Sequence, residues 1–276
     1  MARRITTILP DLSFNEALEI TKIYSITGNI PNGRLITKRP FKSPHHTISS
    51  AGMIGGGSIP MPGEISLAHN GVLFLDELPE FHRSCLEVLR GPLEDRNVLI
   101  SRIAGSFSYP CNFMLVASMN PCPCGYLGDK DKECNCTQRQ IENYRNKISG
   151  PLLDRIDMHI EVPNVKFQNL QNTNQEKSKD IKARVNEARK LQLERYKEYG
   201  IYSNSELNAK LIEKFCILEK DAKQILQKYF EKQNLSARAY SRIIKISRTI
   251  ADLDKSENIK SEHILEALQY RCLDKK

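Results

Sequence analysis

Two groups of side chains in this 276-residue sequence have types and spacings that could do chemistry. The first is Asp76-Glu77, adjacent carboxylates that close the run Gly71-Val72-Leu73-Phe74-Leu75. One carboxylate of such a pair can hold Mg²⁺ through its water shell while the other polarises an attacking water. The plainer alternative is a buried strand whose acidic end is merely solvated. The second group is Cys122, Cys124, Cys134 and Cys136, two C-x-C pairs separated by nine residues. Four thiolates can close a tetrahedral Zn²⁺ site. Ordinary zinc ribbons place two residues between paired cysteines, so reduced free thiols and an iron–sulfur or redox role stay open beside zinc.

The elements that must position these groups can be read from pattern. Uninterrupted apolar residues from Val72 to Leu75 suit a strand buried on both faces, as in a parallel sheet covered by helices. Asp76 and Glu77 then emerge at its C-terminal end, where open α/β sheets form their ligand crevice. Phe113 to Met119 is a second apolar run, expected to be buried beside the first, and it ends in Asn120. An amide there can hold a lytic water or a γ-phosphate oxygen, although Asn-Pro by itself is a turn signal. Val98–Arg102 and Ser106–Tyr109 flank Ile103-Ala104-Gly105 as a hairpin would, and Ser84–Arg90 reads as a short helix with Cys85, Leu86, Val88 and Leu89 inward.

Met1 to Pro10 reads as the tail of a helix, and Ser13 with Glu16 as a capping box opening the next one. Residues 28–63 are loop-like. Their Gly55-Gly56-Gly57 lacks the Lys-Ser/Thr of a phosphate-binding loop and is expected to be a flexible surface loop. Adjacent His45 and His46 would point apart on a strand, which argues against a shared metal. Residues 164–178 are Asn/Gln-rich and mark a linker. Beyond them, 179–199, 205–216, 219–232, 236–253 and 261–271 have helical apolar spacing, with Ser203 or Ser205, Ser236 and Ser261 as caps. The expected organisation is an α/β domain over 1–163, a linker over 164–178 and an all-α domain over 179–276.

Composition narrows the class. With 40 % hydrophobic and 27 % charged residues the chain has the make-up of a soluble protein. No run approaches the roughly 18 apolar residues needed to span a bilayer, and no charged-then-apolar leader opens the sequence. The expected location is the cytoplasm, where clustered cysteines favour metal over disulfides. Residues 1–163 balance their charges, so the whole formal excess of +8 falls in 164–276. A basic face there suits nucleic acid, and equally suits Lys-rich solvated helices.

Several stretches together resemble one family. Arg39-Pro40-Phe41-Lys42-Ser43-Pro44-His45-His46-Thr47, the run from Pro62 through Gly71-Val72-Leu73-Phe74-Leu75-Asp76-Glu77 to Leu78, Met119-Asn120-Pro121-Cys122-Pro123-Cys124-Gly125, and Gly150-Pro151-Leu152-Leu153-Asp154-Arg155-Ile156-Asp157 are similar to the magnesium-chelatase-like AAA+ ATPases of the ComM/YifB type. The resemblance covers essentially the whole chain, in order. It implies an AAA+ P-loop NTPase core with a parallel sheet, incomplete at the N-terminus, followed by an all-α lid. By resemblance Asp76 and Glu77 match the Walker B pair, for Mg²⁺ and water activation, and Asn120 matches sensor 1. Arg155 resembles an arginine finger, a planar and permanently charged fork that reaches a neighbouring subunit's ATP. Arg238 resembles the sensor 2 arginine of the lid. The hairpin over 98–109 resembles one that faces the central pore in ring-shaped relatives.

The family implies ATP and Mg²⁺ as cofactors, hexameric self-association, DNA as a partner with no membrane, and ATP-driven DNA branch migration in natural transformation. A magnesium-chelatase-type subunit that remodels a metal-insertion partner is the alternative, and a non-catalytic remnant the third. Residues 1–276 contain no Gly-x-x-x-x-Gly-Lys-Ser/Thr, the loop that family members carry directly before the helix here opening as Met1-Ala2-Arg3-Arg4. Its lysine reaches the β/γ-phosphates, its hydroxyl ligates Mg²⁺ and its N–H groups cradle the phosphates. The expectation is that this polypeptide, as a truncation or the downstream piece of a split gene, binds ATP poorly and does not hydrolyse it.

Overall fold

The structure is a computed structural model that describes residues 2–28, 30, 34–102, 105–129, 131–162, 176–233 and 236–271. The chain forms two compact units, Met1–Thr7 with Asp11–Arg155, and Ile8–Pro10 with Ile156–Lys276. The expected linker falls mostly on 163–175, outside the described residues. No helix among the described residues is long and apolar enough to cross a membrane.

The first unit is built on three parallel strands. β1 (Phe41–Lys42), β4 (Val72–Leu75) and β7 (Met114–Ala117) lie in the order β1-β4-β7, with Phe41 opposite Val72 and Leu75 opposite Ala117. Parallel neighbours need long crossovers, and these carry the helices. Between β1 and β4 run Ser50–Ile54, the short ribbon β2 (Gly55–Gly56) and β3 (Met61–Pro62), and Glu64–Leu67. Between β4 and β7 run Arg83–Glu87, Arg90–Asp95 and the hairpin of β5 (Asn97–Arg102) with β6 (Gly105–Pro110). Val98 and Ile100 of β5 are buried while Leu99 between them is exposed, the period-two pattern of a half-covered sheet. The turn residues Ile103 and Ala104 lie outside the described set.

As expected of a doubly covered strand, Val72, Leu73 and Leu75 are fully buried. The second apolar run is less buried than its composition predicts. Met114 is 45 % exposed and Leu115 to Ala117 are half-buried, because among the described residues β7 is the outer strand of its sheet. The glycine triplet is also not a free loop. Gly55 is buried at φ +111°, and a Cβ there would sit 2.3 Å from the Met61 carbonyl oxygen and 2.7 Å from the Gly63 nitrogen, so the residue type permits the close β2–β3 crossing. Ser13 and Glu16 form the expected capping box, Glu16 N–H to Ser13 Oγ at 3.2 Å and Ser13 N–H to Glu16 Oε2 at 2.8 Å, opening the Phe14–Ile26 helix that buries Ala17, Ile20 and Ile23.

The second unit is helical, with Ser178–Arg195, Ala209–Phe215, Lys220–Gln233, Ala237–Leu253 and Ser261–Gln269 around a core that includes Tyr196, Leu207, Ile243, Ile244, Ala251 and Ile264. Ser236 caps Ala237–Leu253 as predicted. Two other caps differ from expectation. Asn208, not Ser203 or Ser205, caps Ala209–Phe215 through its side-chain oxygen, since Asn204–Glu206 takes a separate 3₁₀ turn. Ser261 is the first helical residue, and the His263 ring accepts the Lys260 N–H in its place.

Polar residues inside this unit follow no amphipathic pattern. The Asp252 side chain, 0 % exposed, accepts from Arg195 Nη2 at 2.6 Å, Arg248 Nε at 3.0 Å, Gln192 Nε2 at 3.2 Å and Asn204 Nδ2 at 2.8 Å. Arg248, itself 1 % exposed, also donates to the Glu257 carbonyl at 2.6 Å. One carboxylate thus joins two long helices and the Asn204 turn. Deleting it would leave buried guanidinium charge without a counter-ion.

Two stability predictions follow from these contacts. Asp252→Ala should cost about 3–5 kcal/mol, read as loss of helical signal in urea. At the start of β4, a Cβ on Gly71 would lie 2.2 Å from the Pro40 carbonyl oxygen, the same atom that accepts the Val72 N–H at 2.9 Å. Gly71→Ala should therefore destabilise the first unit by about 1–3 kcal/mol in the same assay.

Candidate functional site

β4 ends where its apolar run ends, and its two carboxylates turn out to solvent. The chain leaves the strand through Glu77 in the left-handed region, φ 53° and ψ 50°, and enters the one-turn Leu78–Glu80 helix that buries Leu78 and Pro79. A left-handed non-glycine residue costs roughly 1–2 kcal/mol, and burial of the two residues after it supplies the compensating contacts. Backbone pairing continues past the ends of β4 and β7: Ser118 N–H donates to the Leu75 carbonyl at 3.0 Å, and Leu78 N–H to the Ser118 carbonyl at 2.8 Å. That extension carries Ser118 to Asp76. Its hydroxyl donates to Asp76 Oδ1, which also accepts the Glu77 N–H at 3.2 Å. One carboxylate is thus held in place while Glu77 stays free to point into solvent.

His46 approaches from the other side, its Nδ1 3.8 Å from Glu77 Oε2. The pair His45 and His46 does not splay apart as strand residues would. The segment is a turn, and the two rings lie 4.0 Å apart between centroids. His45 is engaged locally, its Nδ1 3.0 Å from Thr47 Oγ1.

Beside the carboxylates lies an open cleft of about 430 Å³ walled by Glu77, Glu80, Asn120, Pro123, Tyr144 and Lys147. Its far wall is the Gln138–Arg145 helix, opened by a Thr137–Gln140 capping box and buried through Ile141 and Tyr144. Asn120 and Tyr144 both face the cleft, the Asn120 backbone towards the Tyr144 hydroxyl, and burial pushes that phenol above its ordinary range. Lys147 Nζ sits 3.1 Å from Glu80 Oε1. Asp76, Glu77 and Asn120 are therefore brought to one edge of the sheet, as their positions at the ends of neighbouring strands predict. Ser118, His46, Tyr144 and Lys147 were not foreseen. A signal existed for Ser118 alone, the one polar side chain within the run Phe113 to Met119.

The two arginines are placed differently. Arg155 follows the Gly150–Leu153 helix with its side chain only 8 % exposed, ion-paired to Glu94 and donating to the Arg90 carbonyl at 3.0 Å and the Pro151 carbonyl at 2.7 Å. It is not among the residues that wall the cleft. Arg238 is exposed on the first turn of Ala237–Leu253, in the second unit.

The four clustered cysteines converge behind Asn120, with their sulfur atoms all within 4.8 Å of one another. The Tyr126 backbone N–H faces Cys124 and brings that thiol down to about 6. Cys85, Cys111 and Cys216 are buried singly. Burial pushes Cys111 up to about 12 and Cys216 up to about 11, which keeps both protonated and inert.

Comparison with known proteins agrees with this architecture. The family described as Magnesium chelatase, subunit ChlI, matches residues 1–170, and that described as Magnesium chelatase, subunit ChlI C-terminal, matches residues 175–271. The chain is 45 % identical over 276 residues to competence protein ComM of Haemophilus influenzae, covering 99 % of this chain and 53 % of that protein. It is 44 % identical over 278 residues to YifB of Escherichia coli, covering 100 % and 54 % respectively. A protein of Mycobacterium tuberculosis is 35 % identical over 273 residues, at 98 % and 54 % coverage. The chain spans about half the length of these curated relatives. Full-length identity at this level, with both family matches in order, means that the chain belongs to the magnesium-chelatase-like family of the ComM/YifB type, an AAA+-like α/β domain followed by a helical C-terminal domain.

Proposed function

We propose that these 276 residues are the catalytic-edge and lid portion of an ATP-driven ring motor acting on DNA. The observation that carries this proposal is the convergence of Asp76, Ser118, Glu77 and Asn120 at the C-terminal edge of two adjacent parallel strands, opening on a cleft. The donor set fits Mg²⁺: exposed carboxylate oxygens, one of them oriented by a hydroxyl and an N–H, on a hard, oxygen-seeking cation. When bound, Mg²⁺–ATP would supply the phosphoryl group to be transferred and the charge that offsets its oxygens.

In this proposal Asp76 is the Mg²⁺ ligand, held by Ser118. Glu77 polarises the attacking water, aided by the outward left-handed turn of its backbone. Asn120 orients that water or a phosphate oxygen. Arg155 serves a neighbouring subunit, which requires it to leave Glu94, and Arg238 senses nucleotide from the helical domain. The phosphate-cradling loop is not among residues 1–276, so the cleft holds the metal-facing half of a site. The similarity to a competence protein and the basic excess of residues 164–276 support DNA as the partner. The family's magnesium-chelatase description favours the second reading, remodelling of a metal-insertion partner.

ATP affinity and turnover of the 276-residue protein should be measured beside a version extended upstream through a Gly-Lys-Thr/Ser loop. The shorter protein should bind ATP poorly and show no turnover. The extended one should hydrolyse ATP, with Glu77→Gln lowering kcat by about 10²–10⁴-fold while nucleotide binding persists. Micromolar ATP affinity in the shorter chain, with turnover abolished by Glu77→Gln, would overturn the half-site assignment. Unchanged turnover in the extended Glu77→Gln variant would overturn the role of Glu77. Binding to branched or single-stranded DNA that weakens steeply with salt is the expected outcome for a DNA motor, and its absence would leave the partner-remodelling reading.

A further inference from the structure

We infer that Cys122, Cys124, Cys134 and Cys136 bind one Zn²⁺ ion tetrahedrally, and that this ion clamps the wall of the cleft between Asn120 and the Gln138–Arg145 helix. The sulfur spacing carries the metal assignment. Cys122 Sγ lies 3.4 Å from Cys124 Sγ and 3.7 Å from Cys134 Sγ, and Cys124 Sγ lies 3.6 Å from Cys134 Sγ. With Zn–S bonds of about 2.3 Å, the edge of a ZnS₄ tetrahedron is about 3.8 Å. The pairs fall near that edge and well outside the ~2.05 Å of a disulfide bond. A cluster of several irons spreads its cysteines around a core wider than one ion, whereas here all four sulfurs lie within 4.8 Å of one another. Soft thiolate donors also argue against Mg²⁺ or Ca²⁺. The sulfur spacing thereby fits a single ion and not a cluster of several irons.

The surroundings are those of a thiolate site. Four thiolates around Zn²⁺ leave two negative charges, which need donors in the outer shell. The backbone N–H groups of Tyr126, Cys136 and Cys124 face Cys124, Cys134 and Cys136 respectively. The backbone bends to make this arrangement. Gly125 adopts φ +82° with its N–H on the Cys122 carbonyl at 3.0 Å, and Asp129 Oδ1 gathers the Asp131 and Lys132 N–H groups at 2.8 and 3.2 Å. Cys122 is buried, and the other three are half-buried.

The place of the site in the chain gives the ion a task. Cys122 comes two residues after Asn120, Pro123 between the first pair walls the cleft, and Cys136 directly precedes Thr137, the cap of the helix that carries Tyr144. A single ion therefore ties both ends of the loop to each other and holds Asn120 against Tyr144 from behind. The clamping role rests on the proposed nucleotide cleft, while the metal binding does not.

The protein should be purified from zinc-replete culture without an affinity metal, and its zinc and iron measured by mass spectrometry. One zinc per chain is expected, and its loss in the Cys134→Ser/Cys136→Ser double variant. Should that variant misfold, the wild-type protein stripped and reconstituted with Co²⁺ gives the second readout, and it should show the intense visible bands of tetrahedral, sulfur-bound cobalt. No metal, iron in place of zinc, full zinc in the double variant, or the weak spectrum of octahedral cobalt would each overturn the site. Amide exchange before and after chelation tests the clamp: protection of residues 120–126 and 138–145 should fall while that of 237–253 holds. Unchanged exchange at 138–145 would remove the clamp and leave the metal site standing. None of these measurements uses nucleotide, so their failure and failure of the ATPase proposal are distinguishable.

Discussion

The register between β4 and β7 is the constraint on which the candidate site depends. Parallel pairing places Leu75 opposite Ala117, and two hydrogen bonds past the strand ends extend the contact, from the Ser118 N–H to the Leu75 carbonyl and from the Leu78 N–H to the Ser118 carbonyl. Because side chains alternate across a sheet, a slip of one residue would send the Ser118 hydroxyl to the opposite face and leave Asp76 without it. The register is secured by burial, since Val72, Leu73 and Leu75 have no exposed alternative, and by Gly71, whose missing side chain lets β4 start against the Pro40 carbonyl. Packing that has no catalytic content of its own thereby determines where a carboxylate stands.

The two units reach their stability by different routes. The first relies on a small apolar sheet and on close backbone approaches that only glycine allows, at Gly71 and Gly55. The second places a buried carboxylate among two guanidinium groups and two amides, and uses it to fix the crossing of the Ser178–Arg195 and Ala237–Leu253 helices. Buried ion pairs are weak contributors to net stability but strong specifiers of geometry, because any arrangement that separates them strands a charge. In the first unit Arg155 is held in the same way by Glu94 and two carbonyl groups. A guanidinium so engaged does not present its charge to solvent, and any function in a neighbouring subunit has to compete with that pair.

The cysteine loop and the sheet edge form one mechanical assembly. Asn120 sits between the end of β7 and Cys122, and its backbone faces Tyr144 from the helix that begins just after Cys136. The sheet fixes one side of Asn120 and the cysteine loop the other, so a residue that is exposed and would otherwise be a mobile turn becomes positioned.

Much of this was legible in the chain order of residues. The four-residue apolar run foretold a buried strand and an acidic terminus, Ser13 and Glu16 foretold a capping box, and helical spacing marked the elements of the second unit to within a few residues. These features are local: burial period, cap chemistry and backbone preference act within a turn or two of the residue concerned. The meeting of Ser118 with Asp76, of Tyr144 with Asn120, of Arg155 with Glu94 and of Gln192, Arg195 and Asn204 with Asp252 left no such trace. Each joins residues far apart in sequence, and each exists because strand register and helix crossing bring them together. The exposure of Met114 and the close approach of the His45 and His46 rings went against local expectation for the same reason: whether a strand lies at the edge of its sheet, and whether a His-His pair sits in a strand or a turn, is decided by neighbours in space and not by neighbours in sequence.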